Sequence, residues 1–497
     1  MNIKSLLARP FAGYIAKQIR KSSQTALTDQ DAILKTLLQE GKKTIFGKDH
    51  HFDEYKDYGS FRQAVPLRDY EALKPYVEMI KEGKHNVLWK GKPIYFAKTS
   101  GTTSGVKYIP ITKDSIPNHI NTARGALACY MTETGNYQFP SGKLIFLSGS
   151  PVLERVGEIP TGRLSGIVNH HIPKYLRTNQ LPSYETNCIE DWETKLDKIV
   201  EETIGENMTL ISGIPPWMQM YFDRLQECSG KKIGDLFPQL NLLVHGGVNF
   251  EPYKSRLFES VGRTLHTVET FPASEGFFAF QDSQIEEGLL LNTDSGIYFE
   301  FIPTTALDKE NPDRISLHEV TTGVNYAMVI NSNAGLWGYN LGDTVRFVST
   351  NPYRLMVTGR TKQFISAFGE HVIAEEVETS ISETALSHGA RIAEFTVAPF
   401  IAHSEGQSYH EWWIEFEKQP DDLSSFALEL DNRMREKNVY YDDLIKGNIL
   451  RKLQIRKIVK GGFVVYLKSE GKLGGQNKVP RLNNDRRVVT GLAAYEA

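Results

Sequence analysis

The sequence predicts a two-domain α/β protein: a large N-terminal α/β domain that includes a β-meander or barrel, and a small C-terminal α/β domain. Its 497 residues are too many for one ordinary hydrophobic core. From Lys92 to about Tyr353, short β-rich runs alternate with helical runs, which favours a largely parallel sheet. After Met356 a new α/β pattern begins and continues to the end of the chain.

The individual elements follow from the spacing of apolar residues. The first part of the chain has helical spacing, as at Ile33, Leu34, Leu37 and Leu38. Parallel strands and their helices are predicted in KLIFLSGS, NMTLISGIPPWMQMYFDRL, NLLVHGGVNF and TLHTVETF, whereas YFEFIP, AMVINS and TVRFVST are typical of an antiparallel meander. Near the C-terminus, EWWIEFE and GGFVVYLK are predicted strands, and helices are predicted around 372–388 and 423–437.

A domain boundary is predicted where the second α/β pattern begins. Gly359-Arg360 is a candidate hinge between a large domain, residues 1–358, and a small domain, residues 359–497. A segment of about 140 residues is long enough to form a small domain of its own.

Composition excludes several classes of function. A net charge of −3 and a pI near 6.5 argue against nucleic-acid binding, which needs a basic excess. No run approaches about 18 uninterrupted apolar residues, so no membrane span is expected. The cysteines Cys129, Cys188 and Cys228 are scattered without metal-ligand spacing and suit a reducing compartment. We therefore expect a cytoplasmic protein.

Residues Lys98 to Pro110, which read KTSGTTSGVKYIP, predict a loop that binds nucleotide phosphates. Gly101 and Gly105 lack Cβ atoms, so the backbone can approach an anion closely, and Lys107 adds a mobile positive charge. The hydroxyl donors for phosphate oxygens are Ser100, Thr102, Thr103 and Ser104. Composition alone suits a polar surface loop, but the strand-like runs PIYFAK and YIPIT on either side favour the phosphate site.

Two later segments suit the rest of a nucleotide. In ETFPASEG, Phe271 is placed to lie on an adenine ring, and Ser274 and Glu275 to reach phosphate and Mg²⁺, which usually takes one or two protein oxygens. In GLWGYNLGDTV, Asp343 is suited to accept hydrogen bonds from the ribose hydroxyls. Taken alone, the first segment is more typical of a strand-to-loop junction and the second of a hairpin turn.

Together and in this order, the motifs resemble the adenylate-forming superfamily of acyl-CoA synthetases, luciferases and peptide-synthetase adenylation domains. The match includes TSGTTSGVK from Thr99, the aromatic-x-x-Ser-Glu segment, the Gly-Asp pair at Asp343 and the GRTKQFISAFG segment from Gly359. More closely, the chain resembles the bacterial branch of the Gretchen Hagen family, the auxin-responsive acyl acid–amido synthetases. This closer resemblance is carried by TIFGKDH, VPLRDYEALKPYVEMI, ASEG, GLWGYNLGD and GGFVVYLKSEGKLGGQNKVPRL.

The resemblance implies the adenylate-forming, firefly luciferase-like fold and an ATP-dependent ligase that uses ATP and Mg²⁺. In such an enzyme a carboxylic acid attacks the α-phosphate of ATP, giving an acyl-adenylate and pyrophosphate. The amine of an amino acid then takes the acyl group and releases AMP. The implied partners are small-molecule acids and amino acids, the implied protein is a monomer, and its small domain is expected to rotate near Lys362 between the two steps.

The resemblance also implies a set of functional residues. Lys107 and Glu275 are implied as catalytic, with Glu275 as the Mg²⁺ ligand. Lys478 in QNKVPR is implied as the lysine that assists adenylation, with Lys472 as its rival, and His371 lies where the family places a cationic residue after the hinge. The implied nucleotide-binding residues are those of the phosphate loop together with Gly246, Gly247, Phe271, Ser274, Asp343 and Arg360.

An acyl pocket is expected between the sheet and the helices near 115–130 and 160–180. In TGRLSGIVNHHIPKYLR, Arg163 or His170 is expected to face a carboxylate or a polar tail.

The chain also departs from the family pattern. Gly338 and Asn340 stand where plant members carry arginines, and Phe271 stands where many relatives have tyrosine. Two alternative functions stay open: a ligase that transfers the acyl group to coenzyme A, and a nucleotide-binding protein without catalysis.

Overall fold

The computed structural model describes residues 3–55, 57–100, 106–172, 177–189, 191–247, 250–307, 309, 311–361, 364–365, 372–400, 408–446, 450–471, 479–483 and 486–497. The chain divides into two compact units. The first comprises Met1–Leu341 and Val345–Val357, and the second comprises Gly342–Thr344 and Thr358–Ala497. The hinge at Gly359-Arg360 and the domain limits placed there stay predictions.

Helices of the first unit begin and end at residues with suitable capping chemistry. The side chains of Asp69 and Asp191 accept hydrogen bonds from backbone N–H groups in the first turns of their helices. Gly135 and Gly230 end two longer helices in the left-handed conformation. Helices α1 to α12 are Ile3–Gln24, Ala26–Gly41, Ile45–Asp49, Tyr58–Ala64, Tyr70–Lys81, Ile116–Thr134, Leu164–His170, Tyr184–Asn187, Trp192–Thr203, Pro215–Ser229, Ile233–Leu236 and Glu251–Val261.

The strands form one large and one smaller sheet. Strands β1 to β16 are Tyr95–Ser100, Val106–Ile111, Lys143–Phe146, Glu154–Val156, Ile159–Gly162, Gln180–Leu181, Met208–Gly213, Leu242–Gly246, His266–Ala273, Gly276–Phe280, Leu289–Leu291, Ile297–Pro303, Ile315–Ser316, Asn325–Ser332, Tyr339–Thr350 and Tyr353–Arg360. The large sheet has the order β13-β12-β14-β15-β16-β11-β10-β9-β8-β7-β3-β6, and the smaller one has the order β2-β1-β5-β4.

The large sheet combines a parallel and an antiparallel part, as the sequence predicts. Strands β6, β3, β7, β8 and β9 are parallel neighbours. Strand β9 then turns back into β10, and β12 pairs antiparallel with β14 in the predicted meander. Ligands of such sheets bind beyond the carboxyl ends of the parallel strands. We therefore expect a ligand-binding site at the segments that follow β3, β7 and β8.

The smaller sheet carries the strands on either side of the predicted phosphate loop. Strands β1 and β2 are antiparallel, and their last pair is Ser100 with Val106. Strand β5 lies parallel to β1 on its other edge, with Gly162 beside Ala97. The prediction that PIYFAK and YIPIT contain strands is thus confirmed, and the two strands pair with each other.

The second unit has its own sheets, helices and apolar core. Its further strands β17 to β21 are Phe364–Ile365, Val372–Ile373, Arg391–Phe400, Tyr409–Lys418 and Gln454–Ile458. Its helices α13 to α17 are Ala374–Ser387, Leu423–Lys437, Val439–Lys446, Gly462–Ser469 and Arg487–Leu492. Buried Trp412, Phe426 and Leu430 lie in its core.

The prediction that GGFVVYLK forms a strand is wrong, since Gly462–Ser469 is helix α16. Gly461 takes φ +79° before the helix, and the Glu415 side chain accepts hydrogen bonds from the N–H groups of Gly461 and Phe463. Phe463 and Tyr466, one helical turn apart, are both buried. Tertiary contacts thus override the strand preference of the two valines.

Among the described residues, no helix has the length and apolar character needed to cross a bilayer.

Candidate active site

Glu275 lies in a tight turn between two strands of the large sheet. Ala273 of β9 pairs with Gly276 of β10, so Ser274 and Glu275 are the two turn residues. The hydroxyl of Tyr339 donates a hydrogen bond to Oε1 of Glu275 at 3.2 Å. Burial and the neighbouring Glu275 charge raise the pKa of Tyr339 well above its usual value, so its hydroxyl remains a proton donor. This arrangement holds the carboxylate in one orientation.

Lys107 lies on β2, opposite Thr99 of the paired strand. Its Nζ atom is 5.9 Å from the centre of the Tyr70 ring. The Tyr70 hydroxyl accepts a hydrogen bond from the backbone N–H of Tyr108 at 2.9 Å, and burial raises the pKa of Tyr70 to about 12. Tyr70 therefore supports the strand that carries Lys107.

These two groups belong to one neighbourhood in the first unit. Arg68, two residues before Tyr70, forms an isolated parallel β-bridge with Tyr339. Tyr70, beside which Lys107 lies, and Tyr339, which binds Glu275, are therefore carried by segments that meet in the first unit. The sequence interpretation assigned no role to Tyr70 or Tyr339, although both lie in the quoted motifs.

Gly246 and Gly247 follow the carboxyl end of β8. A Cβ atom on Gly246 would lie 2.3 Å from the carbonyl oxygen of Thr270 on the neighbouring strand, so packing alone requires glycine there. Gly247 takes φ +80°, a conformation that also favours glycine. Adenine binding at this pair stays a prediction.

Phe271 and Ser274 are buried in the first unit. The Phe271 ring packs edge-on against Phe278, with 5.2 Å between ring centres. Phe271 and Ser274 are each 7% exposed. Stacking of Phe271 on adenine and contact of Ser274 with phosphate stay predictions.

Asp343 is paired with Arg360 within the second unit. Nε of Arg360 is 2.8 Å from Oδ1 of Asp343. The N–H of Thr361 donates to the carbonyl oxygen of Gly342 at 2.7 Å, which joins the two segments next to the pair. The predicted nucleotide-binding residues Asp343 and Arg360 are therefore adjacent, and Arg360 balances the Asp343 charge.

The predicted acyl-side residues border a segment that follows β3. Nε2 of His170 is 2.9 Å from the carbonyl oxygen of Pro151. The Arg163 side chain packs against Gly149. A Cβ atom added to Gly149 would lie 2.7 Å from Cδ of Arg163. Lys195 of α9, which the sequence interpretation overlooked, donates from Nζ to the carbonyl oxygens of Ser148 and Asn187, each at 2.9 Å. In the sequence, Lys195 lies within the helical pattern WETKLDKIVEET, and nothing in that pattern indicates that its side chain binds two carbonyl oxygens.

Several predicted residues lie outside the described part of the chain. They are Gly101, Thr102, Thr103, Ser104, Gly105, Lys362, His371, Lys472 and Lys478, together with the side chain of Ser100. Their roles stay predictions.

Three family models match successive parts of the chain. They are the GH3 family N-terminal domain at residues 15–180, the GH3 family central domain at 290–360 and the GH3 family C-terminal domain at 375–487. Together they cover most of the sequence.

Two curated relatives illustrate a match over most of the chain at low identity. Jasmonoyl–L-amino acid synthetase JAR6 of Nicotiana attenuata is 21% identical over an alignment of 535 positions, which covers 91% of this chain and 90% of that protein. Indole-3-acetic acid-amido synthetase GH3.3 of Arabidopsis thaliana is 22% identical, over 91% of this chain and 88% of that protein.

Solved structures show the same fold. The AtGH3.15 acyl acid amido synthetase in complex with 2,4-DB aligns with a TM-score of 0.78 at 16% identity, covering 98% of this chain and 96% of that one. A 2-hydroxyisobutyryl-CoA ligase in the postadenylation state, in complex with 2-HIB-AMP, aligns with a TM-score of 0.57 at 13% identity, covering 97% and 90%.

Proposed function

Because this chain belongs to the GH3 family, we propose that it is an ATP-dependent acyl acid–amido synthetase. The predicted family, the adenylate-forming fold and the reaction class are confirmed by these relationships. The substrates are a small-molecule carboxylic acid and an amino acid, as in the names of the relatives. Assignment to the bacterial branch, the cytoplasmic location and the monomeric state stay predictions.

The reaction takes place in two steps. First, a carboxylate oxygen of the acid attacks the α-phosphorus of ATP, which forms the acyl-adenylate and releases pyrophosphate. Second, the amine nitrogen attacks the acyl carbon; the carbon–oxygen bond to AMP breaks, AMP leaves and the amine loses a proton. The first step is needed because a free carboxylate is a poor electrophile, whereas AMP is a good leaving group.

One structural observation supports this proposal most strongly: Lys107 lies beside Tyr70 and Glu275 is bonded to Tyr339, and the segments of these two tyrosines meet at the bridge between Arg68 and Tyr339. A lysine beside the phosphate loop offsets the charge of a polyphosphate, and a carboxylate held nearby suits the cation that accompanies it. The hydrogen bond from Tyr339 to Oε1 helps to orient the Glu275 carboxylate.

The Glu275 side chain fits Mg²⁺. Mg²⁺ is commonly held in nucleotide sites by one or two carboxylates, with the remaining ligands from phosphate and water. When bound, the ion would neutralise charge on the phosphates. Glu275 would hold it, Tyr339 would orient Glu275, and Lys107 would bind phosphate beside it.

The proposal is tested by acid-dependent exchange of labelled pyrophosphate into ATP, followed by an acceptor screen. We expect exchange with at least one member of a carboxylic-acid library, and an amide product with an L-amino acid as acceptor, detected by mass spectrometry. Exchange followed by a thioester with coenzyme A would instead identify a CoA ligase. Nucleotide binding without exchange across the library would contradict catalysis.

A further inference from the structure

Helix α1 presents an outer face that carries two exposed aromatic side chains. Phe11 is 46% exposed and Tyr14 is 64% exposed. They are three residues apart, so they lie on the same side of the helix. Among the described residues, the only other exposed aromatic side chain is Tyr184. Scattered single apolar residues are normal on a protein surface, whereas two neighbouring exposed rings indicate an interaction surface.

Cationic side chains surround the two rings. Lys17 and Lys21 continue the same side of α1, three and seven residues beyond Tyr14. The guanidinium of Arg124, on the neighbouring helix α6, lies over the Phe11 ring at 5.8 Å from its centre. Helix α1 contains no aspartate or glutamate. The face is therefore positively charged, although the whole chain has a net charge of −3.

The protein itself does not neutralise these charges. Lys17, Lys21 and Arg124 are all exposed. Within the part of the chain that the structure describes, neither lysine forms an ion pair. Arg124 donates a hydrogen bond to the amide oxygen of Asn121 at 2.8 Å, and this partner carries no charge. The three positive charges are thus available to an anionic partner.

The opposite side of α1 is occupied by the protein core. Ala12 and Ala16 are 0% and 1% exposed and belong to an apolar cluster shared with α6. A Cβ atom added to Gly125 of α6 would lie 2.8 Å from Cδ1 of Ile19, so the two helices are in close contact. Helix α1 therefore stays packed on the protein and offers only its outer face to a partner.

An anionic lipid surface fits this combination of groups. Anionic headgroups attract lysine and arginine, and aromatic rings lie favourably at the level of the headgroups. From Phe11 to Lys21 the face extends about 15 Å along the helix, so a lipid surface can contact both rings and both lysines at once. Nucleic acid also binds cations, but a base stacks on a free ring face, and Arg124 lies over one face of Phe11.

We propose that the outer face of α1, formed by Phe11, Tyr14, Lys17 and Lys21 with Arg124 beside them, attaches the protein reversibly to anionic membrane surfaces. The helix lies on the membrane and does not span it. The inference is independent of the proposed function, because it concerns where the protein works and not which substrates it converts.

The first test is flotation of the full chain with lipid vesicles. One set contains phosphatidylcholine alone, and the other contains phosphatidylcholine mixed with phosphatidylserine. At low ionic strength we expect binding to the mixed vesicles to be at least about tenfold stronger than to the neutral ones. Binding should fall as salt is added, because salt shortens the range of electrostatic attraction.

Charge-loss variants connect this binding to α1. The double variant Lys17→Gln/Lys21→Gln should bind the mixed vesicles about 25-fold more weakly, at about fivefold for each lysine. The matched control is Lys231→Gln/Lys232→Gln, which removes the same charge at two exposed lysines elsewhere in the first unit and should bind like the wild type.

A second pair of variants tests the aromatic contribution. Tyr14→Ser should weaken binding to the mixed vesicles at least about threefold, since membrane affinity scales with the apolar area that is buried. Tyr184→Ser, at the exposed tyrosine of α8, is its control and should have no effect. Thermal unfolding and pyrophosphate exchange in the absence of lipid should be the same in all four variants as in the wild type, because the changed side chains are exposed.

Other outcomes would overturn the proposal. Equal binding of the wild type to neutral and mixed vesicles, or binding to neither, would contradict it. An unchanged affinity in Lys17→Gln/Lys21→Gln, or an equal loss in its control, would also contradict it. Self-association that Tyr14→Ser abolishes, without vesicle binding, would assign the face to a second copy of the chain. Binding of a single-stranded oligonucleotide in place of vesicles would assign it to nucleic acid.

Discussion

The hydroxyl of Tyr339 donates a hydrogen bond to Oε1 of Glu275, with 3.2 Å between the two oxygen atoms. The residues are far apart in sequence, and the contact joins the turn between β9 and β10 to the start of β15. Tyr339 is 2% exposed and Glu275 is half-buried. The tyrosine therefore fixes the carboxylate that we propose as the Mg²⁺ ligand.

Tyr339→Phe should weaken metal binding without removing it. The change deletes the hydroxyl and keeps the ring, so Glu275 loses a hydrogen bond worth about 1.5–3 kcal/mol when a charged group accepts it. We expect at least about tenfold weaker binding of Mn²⁺, used as a paramagnetic substitute for Mg²⁺, in the presence of a non-hydrolysable ATP analogue. Tyr221→Phe, which removes a buried hydroxyl that donates to Thr203, is the control. Equal Mn²⁺ affinity in the wild type and Tyr339→Phe would refute the role of Tyr339.

Asp343→Ala should weaken nucleotide binding. Loss of a charged acceptor for the ribose hydroxyls should cost about 1–3 kcal/mol of AMP binding, measured by calorimetry. Asp223→Ala, which breaks a comparable ion pair with Arg256 in the first unit, should leave AMP affinity unchanged. An unaltered AMP affinity in Asp343→Ala would show that Asp343 serves only its pair with Arg360.

Lys478→Ala should separate the two half-reactions. If Lys478 stabilises charge as the adenylate forms, its loss should slow pyrophosphate exchange about 10²–10³-fold. Conversion of a chemically supplied acyl-adenylate to amide should be nearly unaffected, because that step no longer involves pyrophosphate. Equal loss in both steps would indicate misfolding or a docking role, and no loss in either would transfer the role to Lys472 or His371.

Glu376 in α13 should make the stability of the protein depend on pH. Burial raises the pKa of Glu376 to about 7, even though Asn438 and the N–H of Ile373 donate hydrogen bonds to it. The pKa of Glu376 is higher in the folded than in the unfolded protein. Its contribution to the free energy of unfolding is therefore fully present at low pH and is lost as pH rises from about 4.5 to 7. Glu376→Gln should therefore be more stable than the wild type at pH 8, by up to about 3 kcal/mol, and similar at pH 4.

Thermal unfolding of the two proteins at both pH values measures this difference. Glu436→Gln, at an exposed glutamate of α14, is the control. A difference between the wild type and Glu376→Gln that does not change with pH would contradict the role of Glu376 titration.

Much of the architecture could be predicted because periodicity and motif order are local properties of the sequence. The strands on either side of the predicted phosphate loop, the parallel strands and the meander were all predicted from short runs. Helix α16 was not predicted. The side chain that caps its first turn is Glu415, which lies more than 40 positions earlier in the sequence. Two valines in a row favour a strand until that distant carboxylate is taken into account.

The difference between local sequence patterns and contacts formed on folding also applies to the candidate site. Glu275 and Lys107 could be selected from their motifs, but the tyrosines that support them could not, since their contacts exist only in the folded chain. Lys195 is the clearest case: in sequence it is an ordinary lysine of an amphipathic helix, and only its two carbonyl partners distinguish it. Sequence motifs identify groups that act on ligands, whereas groups that position them emerge from packing.

The most direct measurement of the central claim follows ¹⁸O from a substrate acid labelled in both carboxylate oxygens. If the carboxylate attacks the α-phosphorus and the amine then displaces AMP, one ¹⁸O atom must be found in AMP and the other in the amide. Mass spectrometry of AMP, phosphate and product after complete turnover decides the question. Label in inorganic phosphate, or AMP free of label while amide accumulates, would contradict an acyl-adenylate mechanism.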